Sequence, residues 1–209
     1  TGLINPNVRA QVAVNPDSEL LPVTRAGGVL LAQVTPRGQL IQGQSAVIAL
    51  DGWTWEENTV RPVAGLAMSF PGGGGGGRGG GGAPQPAGNA LQELDKFMQQ
   101  AKAYGANPNR AMDWNLEPLV PIVTKRQPMF VQAGTEAAIR DAIGWAERSG
   151  INIVIRTSPA AAVASAELLK AKNVPIILGN ILTMPQGEDS FHAANYQAAG
   201  ELSKAGVVF

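Results

Sequence analysis

Between residues 128 and 179 a strand-then-helix pattern runs through twice and begins again, and this repeat constrains the fold more than any other feature. Residues 128–133 (PMFVQA) form a short apolar run that ends at Gly134. Residues 135–149 place Ala138, Ile139, Ala142, Ile143 and Ala146 on one stripe at helical spacing, and Gly150 comes next as a C′ glycine would. Residues 151–155 are the next apolar run. Ser158 suits an N-cap, Pro159 suits a first helical turn, and Val163, Ala166, Leu168 and Leu169 recur behind them until Asn173. Residues 174–178 (VPIIL) open the third unit.

Val131, Val154 and Ile177 lie 23 residues apart. That period suits a strand, a helix of three to four turns and two tight connections. Strands that are apolar throughout and separated by helices belong to a buried parallel sheet. A fourth unit comes after them, with a longer loop over 180–189, a helix over 190–205, Gly206, and a final apolar run at 207–209.

Upstream, two Asn-Pro pairs (Asn5-Pro6, Asn15-Pro16) mark turns, and Asp17 or Ser18 can cap a short helix closed by Gly27-Gly28. Residues 29–34 and 45–50 read as strands, the second running into Asp51-Gly52, and 63–70 contain a third. Residues 72–82 are ten glycines broken only by Arg78. Such a tract cannot build a core, and together with residues 83–88 it reads as a flexible insert over 72–88. It lacks the Gly-Lys-Ser/Thr ending of a phosphate-binding loop and the repeated arginines of an RNA-binding tract. A helix starts at Asn89, with Leu91, Leu94, Phe97, Met98, Ala101 and Tyr104 as its apolar face and Gly105 at its end. Residues 114–124 read as a short helix interrupted by Pro118 and Pro121. The expected strands are 29–34, 45–50, 65–69, 128–133, 151–156, 175–179 and 207–209.

Composition narrows the function. Lys plus Arg equals Asp plus Glu at 16 each, so no net positive field argues for nucleic acid or an anionic membrane. No apolar run approaches the ~18–20 residues of a membrane span. The chain has no Cys, which removes thiolate nucleophiles and Cys-ligated zinc, and its one His is His192. Residues 1–10 have neither Met nor the pattern of a signal peptide, and read as the interior of a longer protein.

In a parallel α/β fold, chemistry gathers at the C-terminal strand ends. Here those ends carry Asp51, Gln132, Arg156 and Asn180. Asp51 is the candidate catalytic residue, as acid, base or ligand; its plainer reading is an Asp-Gly turn. Gln132, Arg156 and Asn180 are candidate substrate-binding residues. Gln132 and Arg156 occupy matching ends of adjacent repeats, which would let them face one pocket. Arg156 can hold a substrate carboxylate by a bidentate pair, or form a structural ion pair. Trp53 and Trp55 read as packed under their loop, Glu56-Glu57 and Glu188-Asp189 as solvated charges, and His192 as exposed or structural. No metal ligand is assigned within the chain.

Three segments, INPNVRAQVAVNPDSELLPVTRAGGVLLAQVTP, GQSAVIALDGWTWEE and VPIILGNILTMPQGEDSFHAANYQAAGELSKAGVVF, resemble the amidohydrolase superfamily, in the group of imidazolonepropionase and related amidohydrolases. The resemblance covers most of the chain outside the glycine tract. It implies an α/β fold, a partial (β/α)8 TIM-type barrel incomplete at both ends, as one domain over 1–209; an open doubly wound sheet is the alternative. It further implies a zinc-type divalent metal that activates water against an amide-like C–N bond, in a small-molecule substrate, often cyclic. The family's ligands are a His-x-His pair on strand one, a carboxylate or modified Lys on strand four, a His on each of strands five and six, and an Asp on strand eight. On this alignment the chain begins after strand one and stops just short of the strand-eight Asp. Gln132 falls where the strand-five His would be, and Arg156 near the strand-six His. The resemblance therefore implies metal in a complete parent protein, and none bound by these 209 residues alone. The alternative function is a catalytically inactive barrel with a binding or structural role.

Overall fold

The computed structural model describes residues 2–72, 87–182 and 193–209. The glycine tract beyond Gly72, Glu188-Asp189 and His192 lie outside the described residues. Six strands are hydrogen-bonded neighbours in chain order, β1 (Leu31–Val34), β2 (Ile41–Ala49), β3 (Thr59–Ser69), β4 (Met129–Gln132), β5 (Ile153–Thr157) and β6 (Ile176–Leu178). Their class is mixed α/β. Contacts divide the chain into two compact units, residues 1–68 with 93–129, and residues 69–92 with 130–209.

In the first unit the strands are antiparallel: β1 to β2, and β2 to β3. This differs from the all-parallel wall that the apolar runs suggest, and the connections explain it. A parallel return needs a crossover of a dozen or more residues. Only residues 35–40 join β1 to β2, and β2 reaches β3 through a loop and the single-turn helix α2 (Trp55–Asn58). β2 and β3 are also longer than expected, because register shifts after Ile41, Ser45 and Val47 let β2 continue past its irregularities.

Residues 3–10, read from sequence as turns, run beside the N-terminal half of β2. The Gln44 amide donates to the Val8 carbonyl at 2.7 Å and the Ala10 amide to the Gln44 carbonyl at 3.2 Å. Gly43, at φ +135°, makes that approach possible, since a Cβ there would stand 2.6 Å from the Val8 carbonyl oxygen. Helix α1 (Leu20–Ala26) buries none of its residues. Its links to the sheet region are Val29 N–H to the Thr24 carbonyl at 3.3 Å and an ion pair between Arg25 and Asp51.

The unit's core is built from Ile41, Leu66 and Met68 of the sheet, Leu94, Met98 and Ala101 of α3 (Ala87–Ala106), and Leu119 and Ile122. The stretch around Pro118 and Pro121 forms a 3₁₀ turn (Glu117–Leu119) and then α4 (Val120–Val123). Each proline sits in the first turn of its piece, where a missing backbone donor is tolerated, and so starts a short new turn instead of extending the one before. A polar clasp fastens it to α3. The Tyr104 hydroxyl donates to Glu117 Oε2 at 2.8 Å, Arg110 Nη2 donates to Glu117 Oε1 at 3.0 Å, and the Arg110 guanidinium lies 5.0 Å from the Tyr104 ring centre.

In the second unit β5 and β6 are parallel, as the repeat requires. Helix α5 (Glu136–Ser149) begins where the Thr135 hydroxyl accepts from the Ala138 amide at 3.2 Å. It ends at Gly150 in the left-handed conformation, φ 66°. Ala138, Ile139, Ala142, Ile143 and Ala146 are all buried, and Trp145 packs 6.3 Å from the Phe70 ring. Ser158 caps the next helix, which breaks at Ser165 (φ −102°, ψ 8°) into α6 (Pro159–Ala164) and α7 (Ala166–Ala171). Helix α8 (Ala194–Ala205) packs on both and ends at a left-handed Gly206. Residues 207–209 form no strand, although the Val208 carbonyl accepts from Ile176 N–H at 3.0 Å.

Two outcomes test this account. Thr135→Ala removes the α5 cap and should lower unfolding free energy by about 1 kcal/mol in urea titrations. Glu117 is held below its ordinary carboxyl pKa by hydrogen bonds from Arg110 and then Tyr104. A lowered folded pKa means that the clasp's contribution is present above the unfolded value and is lost as pH falls through the folded one. Glu117→Gln should therefore flatten the acid limb of a stability–pH profile, measured by urea midpoints from pH 7 down to about pH 3.

Candidate functional site at the strand ends

Strand alternation decides which side chains face outward here. In β4, Met129 and Val131 are fully buried while Phe130 and Gln132 are half-buried. In β5, Ile153, Ile155 and Thr157 are buried, Val154 is half-buried and Arg156 is exposed. Gln132 and Arg156 thus belong to the less buried set of neighbouring strands. The Ala133 amide donates to the Arg156 carbonyl at 3.0 Å, which sets the two strand ends side by side. Arg156 pairs in register with Ile177 of β6. The 23-residue sequence period aligns Val154 with Ile177 instead, an offset of two residues. That even offset keeps Val154, Arg156 and Ile177 on one face, whereas β4 meets β5 one residue off the period, so Val131 is buried where Val154 is half-buried.

The chain leaves each of these strands through small residues. Gly134 lies just past β4, and its carbonyl accepts from the Ser158 hydroxyl at 3.5 Å. Gly179 lies just past β6, and its amide donates to the Thr157 carbonyl at 2.8 Å. A Cβ at Gly179 would stand 2.9 Å from that same oxygen, so the close approach of β6 to β5 needs glycine. Asn180 comes next and is exposed. The structure therefore groups Gln132, Arg156 and Asn180 at one set of strand ends in the second unit. Among the described residues, Arg156 has no carboxylate partner.

Asp51 belongs to the first unit. Its side chain is 80% exposed and pairs with Arg25. The loop after it is more ordered than a run of solvated charges. The Thr54 hydroxyl accepts from the Glu57 amide at 3.2 Å, and the Glu57 carboxylate accepts from the Trp53 amide at 2.9 Å. The Thr-x-x-Glu spacing of a capping box was present in the sequence as the signal for this. Trp53 is not packed under the loop: it is 89% exposed, because the capped turn points it outward, whereas Trp55 is half-buried. Asn58 fills the space beneath Gly52 and is fully buried, with no hydrogen-bond partner for its amide atoms among the described residues.

The described residues do not fit a zinc ion. No group of three His, Cys, Asp or Glu side chains lies close enough to hold one among them. Gln132 is a weak zinc ligand, and the Arg156 guanidinium has no lone pair to give.

No family model matches the chain, and no curated protein does. A solved structure does match: an amidohydrolase from Thermotoga maritima MSB8, with a TM-score of 0.81 and 23% sequence identity. The match covers 99% of this chain and 56% of that one, so the chain spans about half the length of the solved structure. The likeness shows that the two share a fold over that span.

Gly52 offers a test of the loop that carries Asp51. Its φ is +142°, and a Cβ would collide with Asn58 Oδ1. Gly52→Ala should destabilise the protein by more than about 2 kcal/mol, read from the urea midpoint.

Proposed function

We propose that residues 1–209 form part of a (β/α)8-type barrel of an amidohydrolase-like hydrolase, in the group of imidazolonepropionase and related amidohydrolases. Its substrate is a small molecule with an amide-like C–N bond, as in a cyclic amide. The observation that carries this reading is the fold shared over 99% of the chain with an amidohydrolase. The grouping of Gln132, Arg156 and Asn180 at strand ends supports it, since substrates of such folds sit there. In this reading those three residues bind substrate, and Asp51, which belongs to the first unit, is not assigned to their site. Any zinc-type metal used by such a hydrolase would need ligands from outside the described residues as well.

A second reading, a barrel that binds a small molecule without hydrolysing it, is favoured by one observation. An exposed arginine, whose guanidinium has no lone pair to give a metal, occupies the strand end where a metal-dependent catalytic centre would need ligands.

The test compares residues 1–209 alone with whatever longer polypeptide the gene encodes. Both are supplied with zinc and assayed on a panel of cyclic amides and imides. The 209-residue chain alone should give no zinc-dependent turnover. The longer polypeptide should turn over at least one substrate. Turnover by the short chain that disappears in Asp51→Ala would overturn this division of roles. A longer polypeptide inactive on the whole panel would favour the binding reading.

A further inference from the structure

We propose that Arg156 and Gln132 form a carboxylate-binding site on the less buried face of β4 and β5, one that takes an organic monoanion with an apolar body. The proposal deepens the reading of this face as the substrate's, and it rests on that reading only for calling the ligand a substrate.

Position is the first argument. Arg156 lies on β5, which is flanked on both sides by β4 and β6, and not on an edge strand or in a loop. Every other residue of its face that the neighbouring strands supply is apolar or neutral: Phe130 and Gln132 on β4, Val154 on β5, Ile177 on β6. Long cations on sheets usually lean toward a carboxylate or cover apolar surface, yet the described acids of this unit are engaged elsewhere or sit on helices. Glu136 pairs with Arg140 along α5, and Glu147 pairs with Lys172. The guanidinium is left with five donors and no acidic partner among the described residues.

The chemistry of the donors selects the ligand. A guanidinium presents a planar fork that matches both oxygens of a carboxylate. The Gln132 side-chain amide can add a further donor, and its carbonyl can accept from an N–H of the same ligand. One fixed positive charge balances one negative charge. A phosphate dianion would leave charge uncompensated on a face whose other residues are Phe130, Val154 and Ile177. Those three suit the hydrocarbon part of the ligand. Gly134 and Gly179 keep the adjacent strand exits free of side chains.

The experiment reads binding without turnover. The 209-residue chain, labelled with ¹⁵N, is titrated with benzoate while the arginine Nε–Hε signals are followed, with benzamide and inorganic phosphate in parallel. Saturable movement of the Arg156 signal by benzoate is expected, with benzamide and phosphate each binding at least tenfold more weakly. Arg156→Gln should weaken benzoate binding at least tenfold. Arg156→Lys, which keeps the charge and loses the fork, should weaken it several-fold, and so should Gln132→Ala. Because Arg156 is exposed, its variants should keep the native unfolding midpoint, which separates lost binding from lost folding.

Equal binding of benzoate by native protein and Arg156→Gln overturns the proposal, as does equal binding of benzoate and benzamide. Tighter binding of phosphate than benzoate overturns the choice of carboxylate. Binding that emerges only after Glu188→Gln and Asp189→Asn would make Arg156 an internal ion-pair partner and end the proposal. A chain that binds benzoate as expected while every hydrolysis assay fails sinks the hydrolase reading and leaves this site standing.

Discussion

The length of the connection between successive strands governs this architecture. A strand can return parallel to its predecessor only if the chain has enough residues to cross over the sheet. From β4 onward each connection contains a helix, and β5 and β6 lie parallel. Before β4, the connections from β1 to β2 and from β2 to β3 are too short, and both pairs are antiparallel. The two halves of the sheet therefore expose different things. The helix-linked strands bury one face under their own crossovers and leave the other to side chains such as Arg156. Of the antiparallel strands, β2 has the extended residues 3–10 along its N-terminal half, while β1 is exposed at alternate residues.

Local chemistry was legible wherever a single residue decides a boundary. Thr135, Gly150, Ser158 and Gly206 were readable as helix ends because capping depends on one side chain or one positive φ. The buried stripe of α5 followed from spacing alone. What escaped the sequence depended on pairing at a distance. Nothing local in residues 3–10 announces that they will lie along β2, since the decisive feature is space above Gly43. The direction of β1 and β2 was misjudged because apolar content says that a strand is buried and does not say which way its neighbour runs. The register of β6 against β5 was missed by two residues for a related reason: a sequence period measures chain between strands, and a crossover can take up two residues without changing the face presented.

The strand-end residues show the same division. That Gln132 and Arg156 would both come at strand ends was legible from the apolar runs that precede them, but their pairing was not, because the 23-residue period sets Gln132 opposite Ile155 instead. That Asp51 would be tied to Arg25 was not, because the pair spans two elements joined only in the fold. Exposed ion pairs of this kind contribute at most about 1 kcal/mol, so the pairing orients Asp51 more than it stabilises the first unit.

Charge type at the second unit's strand ends limits its chemistry more sharply than the fold does. A shared fold is compatible with many reactions, because function resides in the side chains that the scaffold presents. Here the scaffold presents an amide, a guanidinium and a second amide on successive strand exits. An amide and a guanidinium offer hydrogen-bond donors and, from the amide carbonyl, an acceptor. They can orient a ligand, neutralise an anion and donate hydrogen bonds. Such groups suit holding a ligand more than cleaving one.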